Sequence, residues 1–424
     1  MSNGIINIPY GRGHLAFKVP AGRQVSLLAA DEPESAGRPE AEIIKEALAH
    51  PINSHSLAEL ARGKSKVVVV TSDHTRPVPS RLTLPPMLEE IRRGSPEADI
   101  TILIGVGSHR ATTLEEMREK FGPEFTKREK IINHDPRAES GLVSLGRLPS
   151  GGELIISRLA AEADLLVADG FIEPHQFAGF SGGRKSILPG IASLTTVLAS
   201  HNAEFTVHPQ ARPGSLEGNP FHADMIHAAR TARLAFILNV ALSSEKKVVA
   251  AFAGDMDAAH LRGCDFVLKR CGVKSVPSPV VITSNGGYPL DQNIYQATKS
   301  IMAADLTCAE GGVIIAACEC ADGHGAEAFY QSFRQSSPDQ LLAEIAARSR
   351  EETAPDQWVI QLTATILKRR KVIMVTGAPP EMIETFGMKH ASTLEEALSM
   401  ADQITGLPNG SIAILPDAVS LLIH

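Results

Sequence analysis

The chain has 424 residues, 43% of them hydrophobic and 21% charged, with a formal net charge of −7 and a pI of about 6.1. One hydrophobic core stops growing at roughly 250–300 residues, so two globular domains are expected. The acidic balance supplies no global field to hold nucleic-acid phosphates, and no apolar run reaches the roughly 18–20 residues of a membrane span; neither nucleic acid nor membrane is an expected partner.

The opening MSNGIINIPYGRG lacks the basic and then apolar regions of a secretory signal. Residues 39–50 place Ile43, Ile44, Ala47 and Leu48 on one helical face. Residues 66–71 (KVVVVT), 99–104 (DITILI) and 163–168 (ADLLVA) read as strands, and such near-continuous apolar runs suit a parallel sheet buried on both faces. Thr113 and Glu116 form a capping-box pattern ahead of MREKFG, with Gly122 as the stop. Residues 221–231 predict a helix, 234–240 and 248–252 a β-hairpin joined through SSEKK, and 253–272 a further helix. A second set of strands covers 279–283, 312–317, 371–376 and 411–415, with another capping box at 392–395. GVKSVPSP at 272–279 is the best linker, so the expected architecture is two α/β domains with largely parallel sheets, spanning 1–274 and 275–424. Cys264, Cys271, Cys308, Cys318 and Cys320 are odd in number and form no CxxC pair, which predicts free thiols in a reducing, cytoplasmic compartment.

Three of these strands end in unusual polar residues. The first runs into Ser72-Asp73-His74-Thr75-Arg76-Pro77, the second into Gly105-Val106-Gly107-Ser108-His109-Arg110, and the third into Asp169-Gly170-Phe171-Ile172-Glu173-Pro174-His175. Ligands of open α/β sheets bind beyond the carboxyl ends of the strands, which makes His109, His175 and their neighbouring guanidinium groups candidates for a site. His74 and Arg110 read equally well as loop residues.

The segment from Gly179 to Gly190 (GFSGGRKSILPG) combines glycines that admit close backbone approach with a cationic pair suited to an anion. It fails the phosphate-loop pattern GxxxxGK[ST], because Arg184 stands where that pattern has its last glycine. Lys185, set between apolar stretches, is expected to be partly desolvated and hence nucleophilic. His201 is a candidate metal ligand, yet no HExxH, CxxC or HxH pattern accompanies it. His222 and His227 read as ordinary helix residues. In the second domain, NIYQATK places Gln296 and Lys299 on one helical face with Tyr295 in the same turn, an amide and an ammonium suited to a carboxylate or simply an exposed helix start. Trp358, the single tryptophan, reads on spacing alone as a packing residue.

Together, SDHTRPVPS, GSHR, DGFIEPHQFAGFSGGRKSILPGIAS, SHN and NIYQATKS, in this order over nearly the whole chain, resemble the nickel-pincer lactate racemase family. The resemblance implies a two-domain α/β enzyme with its active site in an interdomain cleft. It implies nickel held in a nickel-pincer nucleotide, pyridinium-3-thioamide-5-thiocarboxylic acid mononucleotide, joined covalently to Lys185. It further implies His201 as nickel ligand, His109 and His175 as paired acid and base, and Asp73 beside the cofactor or orienting Arg76. Arg76, Gln296 and Lys299, with Tyr295 and Trp358, are implied to bind substrate. A metal with sulfur and carbon donors needs only one protein histidine, and a mononucleotide needs no triphosphate loop, so both sequence anomalies fit.

The implied reaction interconverts D- and L-lactate through a 2-keto acid by proton-coupled hydride transfer, with cofactor-synthesis enzymes as activating partners. Malate, 2-hydroxyglutarate, an aromatic 2-hydroxy acid or a sugar acid would suit the same cofactor, an extra acidic group calling for a further cation such as Arg184 or Arg110. Two readings from other classes compete: non-catalytic phosphate or nucleotide binding by the glycine-rich loop, and Schiff-base lyase chemistry at Lys185.

Overall fold

The computed structural model describes residues 4–30, 37–243 and 245–424. The chain divides into two compact units, one made of Glu32–His201 and His208–Arg270, the other of Met1–Asp31, Asn202–Val207 and Cys271–His424.

In the first unit the valine and isoleucine runs build a six-stranded sheet, ordered Val248–Gly254, Leu234–Leu242, Leu165–Phe171, Lys66–Ser72, Asp99–Gly105, Lys130–Asn133. Neighbours are parallel except for the outermost hairpin, which is antiparallel; Ser244 in its turn lies outside the described residues. Val67 and Val69 join one core cluster while Val68 and Val70 are equally buried on the opposite face. Each such side chain contributes roughly 1.5–3 kcal/mol on burial, which is why a run without polar alternation settles in a covered parallel sheet.

The order of strands places the site. From Lys66–Ser72 the chain moves outward through Asp99–Gly105 and Lys130–Asn133, then returns to the other side of its first strand with Leu165–Phe171. That reversal opens a crevice at the carboxyl ends of Lys66–Ser72 and Leu165–Phe171. The second of these strands continues three residues beyond its expected end, so Asp169, Gly170 and Phe171 are buried sheet residues rather than loop.

The other unit contains a wholly parallel sheet, ordered Lys389–Ala391, Lys371–Val375, Cys308–Ala317, Ser278–Thr283, Ile412–Leu415, Val25–Leu27. It reverses between Ser278–Thr283 and Ile412–Leu415, and there Asn285 and Asp417 form an isolated bridge. Alternate residues serve two cores: Val280 and Ile282 face one cluster, Val281 the other.

The expected split near residue 275 needs correction. Val25–Leu27 extends the second unit's sheet alongside Ile412–Leu415, and the hairpin of Ile5–Tyr10 and Gly13–Lys18 sends Ile8 and Phe17 into the cluster with Val280 and Ile282. Within the expected linker, Gly272–Val273 pairs with Leu422–Ile423. The Asn202–Val207 excursion belongs here too, its Ala203 carbonyl accepting a 3.2 Å hydrogen bond from Gln361 Nε2. At the second expected capping box the cap is Thr393, whose hydroxyl accepts from Glu396 N, while the Glu396 carboxylate accepts from Ser392 N. No helix among the described residues is long and apolar enough to cross a membrane, and all five cysteines are free.

Because Ile282 is wholly buried at the centre of its sheet, Ile282→Ala is expected to lower the unfolding free energy by about 2–5 kcal/mol in chemical denaturation.

Candidate active site

Beyond the Lys66–Ser72 strand, the buried Asp73 carboxylate binds three donors. Oδ1 accepts from Thr75 N at 3.0 Å and from the Thr75 hydroxyl at 2.6 Å, and Oδ2 accepts from His109 Nδ1 at 2.7 Å. Burial pushes the Asp73 carboxyl up, but the His109 hydrogen bond and the positive charges of His109 and Arg76 outweigh it and hold the group well below the usual carboxylate range. An ionised Asp73 fixes the proton of neutral His109 on Nδ1 and leaves the Nε2 lone pair as a base. Arg76 does not touch Asp73 directly; its Nη1 donates to the Thr75 hydroxyl at 2.8 Å, so Thr75 mediates.

The Leu165–Phe171 strand delivers the second group. Pro174–His175 pairs with Gly179–Phe180 in a small hairpin, and His175 Nδ1 accepts from the amides of Phe177 and Ala178, both at 3.3 Å. Its neutral proton therefore sits on Nε2, the opposite tautomer to His109. Gly179 has φ +76° and lies where a Cβ would meet Ser215 O at 2.3 Å, which only glycine tolerates.

Arg184 follows and has no accessible surface. Its Nη2 donates to Ala178 O at 2.7 Å, its Nη1 to Phe180 O at 2.9 Å and to His260 Nε2 at 2.7 Å, and its Nε to His222 Nδ1 at 3.2 Å. Arg184 is therefore a pin for the glycine-rich segment and offers nothing to an acidic substrate group. The Gly183 amide likewise points inward, to Asn239 Oδ1 at 2.7 Å, which removes a donor from any phosphate cradle. Arg110 is tied on the surface to Glu116 at 2.5 Å, close to where Glu116 also faces His74.

Lys185 stands in the short 3-10 turn Gly183–Ser186. The residue keeps some accessible surface, but its amine is out of water, and burial first, then the charges of Arg184 and Arg76, holds its pKa well below the ordinary lysine value. Beyond the Leu194–Ser200 helix, buried His201 donates from Nδ1 to Val197 O at 2.8 Å, placing its lone pair on Nε2. Burial and the neighbouring Lys185 bring its pKa down to about 4, against a carbonyl bond that raises it. Phe177 and Phe221 meet the ring edge-on, at 6.2 and 5.2 Å between centroids. Among the described residues no group of three His, Cys, Asp or Glu side chains is placed to hold a metal.

In the other unit, the Ile294–Asp305 helix starts just past the strand reversal, with the Asn293 side chain accepting from Gln296 N at 2.9 Å. Ile294, Ala297, Thr298 and Ile301 are buried, which leaves Tyr295, Gln296 and Lys299 half-buried on the remaining face. Asn285 Nδ2 donates to Gln296 O at 2.7 Å and its Oδ1 accepts from Ser300 N at 3.2 Å, locking the helix to the sheet edge. Trp358 is half-buried near the start of the Gln357–Arg369 helix.

Residues 10–214 match the lactate racemase N-terminal domain and residues 273–423 the lactate racemase C-terminal domain. The chain belongs to the lactate racemase family. Lactate racemase from Thermoanaerobacterium thermosaccharolyticum is 51% identical over 422 residues, covering 99% of both chains. That from Lactiplantibacillus plantarum is 44% identical over 424 residues, again covering 99% of both. The structure of the Thermoanaerobacterium lactate racemase apoprotein matches with a TM-score of 0.96 at 50% identity, over 99% of this chain and 100% of that one. A Thermotoga maritima protein at 19% identity, with a TM-score of 0.65 over 93% of this chain and 100% of its own, shares the fold. Members of the lactate racemase family are isomerases acting on 2-hydroxy acids, and this chain is such an enzyme.

Sequence reasoning passed over several residues that hold these side chains in place. Lys120 Nζ donates to the carbonyls of Arg76 at 3.0 Å and Val78 at 3.4 Å, bracing the loop that carries Arg76. Thr75 relays between Asp73 and Arg76, and His260 and His222 receive the guanidinium of Arg184. Only the extent of the polar run after residue 71 hinted at the first pair; nothing in the spacing announced the histidines as acceptors.

His201 and His222 both titrate at about 4 in the fold, driven down chiefly by burial, against roughly 6.5 in an unfolded chain. The unfolded state thus binds more protons between these values, and stability falls as pH drops from about 6.5 to about 4 before levelling off. Thermal melts across that window are expected to show the slope, reduced in His222→Gln.

Proposed function

We propose that this chain racemises lactate with a nickel-pincer nucleotide bound at Lys185 and His201. One observation carries the reading: the desolvated amine of Lys185 lies close enough to the buried His201 imidazole to disfavour its protonation, in the unit that also presents His109 and His175. An amine held neutral is the form that can be acylated, and a histidine with Nδ1–H anchored on a carbonyl offers Nε2 to a metal. When bound, that group supplies a reversible hydride acceptor.

The chain's own residues do the rest. Arg76 and Lys299 hold the substrate carboxylate, with Gln296 assisting, so that the 2-carbon stays in place. His109, its Nδ1 fixed by Asp73, takes the hydroxyl proton from one enantiomer through Nε2. The 2-carbon becomes planar as a keto acid as its hydrogen leaves as hydride, and hydride returned to the opposite face, with a proton from the opposite histidine, His175, in its imidazolium form, completes the other enantiomer. Running backwards, each exchanges role; in both directions His175 must release its two long amide contacts and carry a proton on Nδ1.

The cations favour a monocarboxylate. Arg184 is committed to carbonyls and imidazoles and Arg110 to Glu116, so neither is available for the second acid group of malate or 2-hydroxyglutarate. The inward Gly183 amide also weighs against a phosphate-binding protein.

Protein produced with the cofactor-synthesis enzymes is expected to carry an adduct on Lys185 and nickel near one per chain, and to convert D- to L-lactate far faster than malate. Lys185→Ala should lose the adduct by intact mass; an unchanged mass shift would remove Lys185 from the reading. His109→Ala and His175→Ala should each keep adduct and nickel while racemisation falls by about 10²–10⁴-fold. Near-normal rates in either variant would exclude that histidine.

A further inference from the structure

The Gln357–Arg369 helix begins after Asp356, whose backbone takes φ 63° and ψ 0°. Among residues with a Cβ, this left-handed conformation is tolerated best by Asn and Asp. Asp356 occupies the cap position yet makes no side-chain cap to its own helix, the usual employment of an aspartate there. Its Oδ1 instead accepts a 3.0 Å hydrogen bond from the hydroxyl of Tyr295, 61 residues away in sequence.

Both ends of this bond are held. The Tyr295 amide donates to His324 O at 3.2 Å, and its ring meets Phe329 edge-on at 5.6 Å. Beside Asp356, the buried Gln357 accepts through Oε1 from Arg348 Nη1 at 2.9 Å and from Ala354 N at 3.3 Å. Trp358 comes next and packs against the core cluster that contains Ile294 and Phe329. The turn that launches Trp358 is therefore tied to the side chain of Tyr295, with little rotamer freedom left at either.

We propose that Asp356 is a positioning residue that joins Tyr295 and Trp358 into one wall, and that this wall limits the size of the substituent on the 2-carbon of the substrate. The size role rests on the substrate-binding reading of Tyr295 and Trp358 given above; the wall itself does not. A methyl group is accepted, and each added methylene must displace a braced side chain. A rigid apolar pocket discriminates about 10–200-fold per methylene.

Trp358 is the single tryptophan, so its fluorescence in the full chain reports the wall without any turnover. Three variants separate the contributions. Tyr295→Phe removes the donor, Asp356→Gly keeps the left-handed backbone but removes the acceptor, and Asp356→Asn keeps both backbone tolerance and an acceptor oxygen. Tyr295→Phe and Asp356→Gly are each expected to shift Trp358 emission and to raise its quenching by acrylamide about twofold, and the double variant to go no further than either single one. Asp356→Asn should restore the wild-type spectrum.

In cofactor-loaded enzyme, kcat/KM for 2-hydroxybutyrate relative to lactate should rise about tenfold in the first two variants and stay at the wild-type ratio in Asp356→Asn. Unchanged Trp358 quenching in both Tyr295→Phe and Asp356→Gly would overturn the wall, whatever the reaction. Altered quenching with an unchanged substrate ratio would overturn the size limit. Wild-type enzyme inactive on every 2-hydroxy acid would overturn the functional reading and the size limit with it, while the fluorescence result would stand by itself.

Discussion

The segment from His175 to Lys185 depends on one buried charge. Arg184 has no accessible surface and, among the described residues, no carboxylate at ion-pair distance. Its charge is instead solvated by the carbonyls of Ala178, Phe180, Ser181 and Gly182 and by two imidazoles. A buried cation left without such acceptors would be strongly unfavourable, so the acceptors and the guanidinium fix each other. The carbonyls belong to the hairpin that presents His175, and the next residue is Lys185. One side chain thereby sets the spacing between a histidine and the nucleophilic amine. Its charge also disfavours protonation of Lys185, His222 and His260, each of which it pushes down.

Topology supplies the rest of the arrangement. The strand order reverses beside Lys66–Ser72 in one unit and beside Ser278–Thr283 in the other. Each reversal leaves a gap between neighbouring strand ends, and each gap is filled by polar residues held to the sheet edge: Asp73 by Thr75 and His109, Asn285 by the helix that carries Gln296 and Lys299. The sheets are apolar on both faces, so polar side chains collect at their carboxyl edges, where hydrogen bonds offset the burial of Asp73 and Asn285.

Much of this was legible in the sequence because it is written in local patterns. Val67–Val70 could settle only in a strand covered on both sides, SDHTR and GSHR followed such strands, and GGRKS stood out as a glycine-rich cationic segment. What could not be read depends on distant partners. Val25–Leu27 is a strand only because Ile412–Leu415 lies beside it, and three residues carry no periodicity. The Ser80–Gly94 helix contains Pro85 and Pro86, which argue against a helix locally; Leu84, Met87, Leu88 and Ile91 form a buried stripe that outweighs them. Arg184 looked like a cation for a ligand, since nothing nearby in sequence identifies Ala178 O or His260 as its acceptors. The direct bond from His109 to Asp73, and the relay through Thr75 to Arg76, likewise join residues that no local pattern pairs.

The two histidines proposed as acid and base are not equivalent at rest, and the difference follows from their partners. His109 gives its Nδ1 proton to a carboxylate, so a positive charge on the ring is compensated where it forms. His175 faces two amide N–H groups through Nδ1, which oppose a proton there. Racemisation nevertheless needs each ring to take and return a proton on Nε2. Because the enantiomers have equal free energy, both directions cross the same barrier, and His175 must exchange its amide contacts for turnover in either one. The hairpin built for that exchange is small: two paired residues on each side, closed by Gly179 in a conformation only glycine adopts, and tied at Ala178 and Phe180 to Arg184. The amides that oppose a proton on His175 Nδ1 belong to the segment pinned by the same guanidinium that, after burial, helps to hold the Lys185 pKa down.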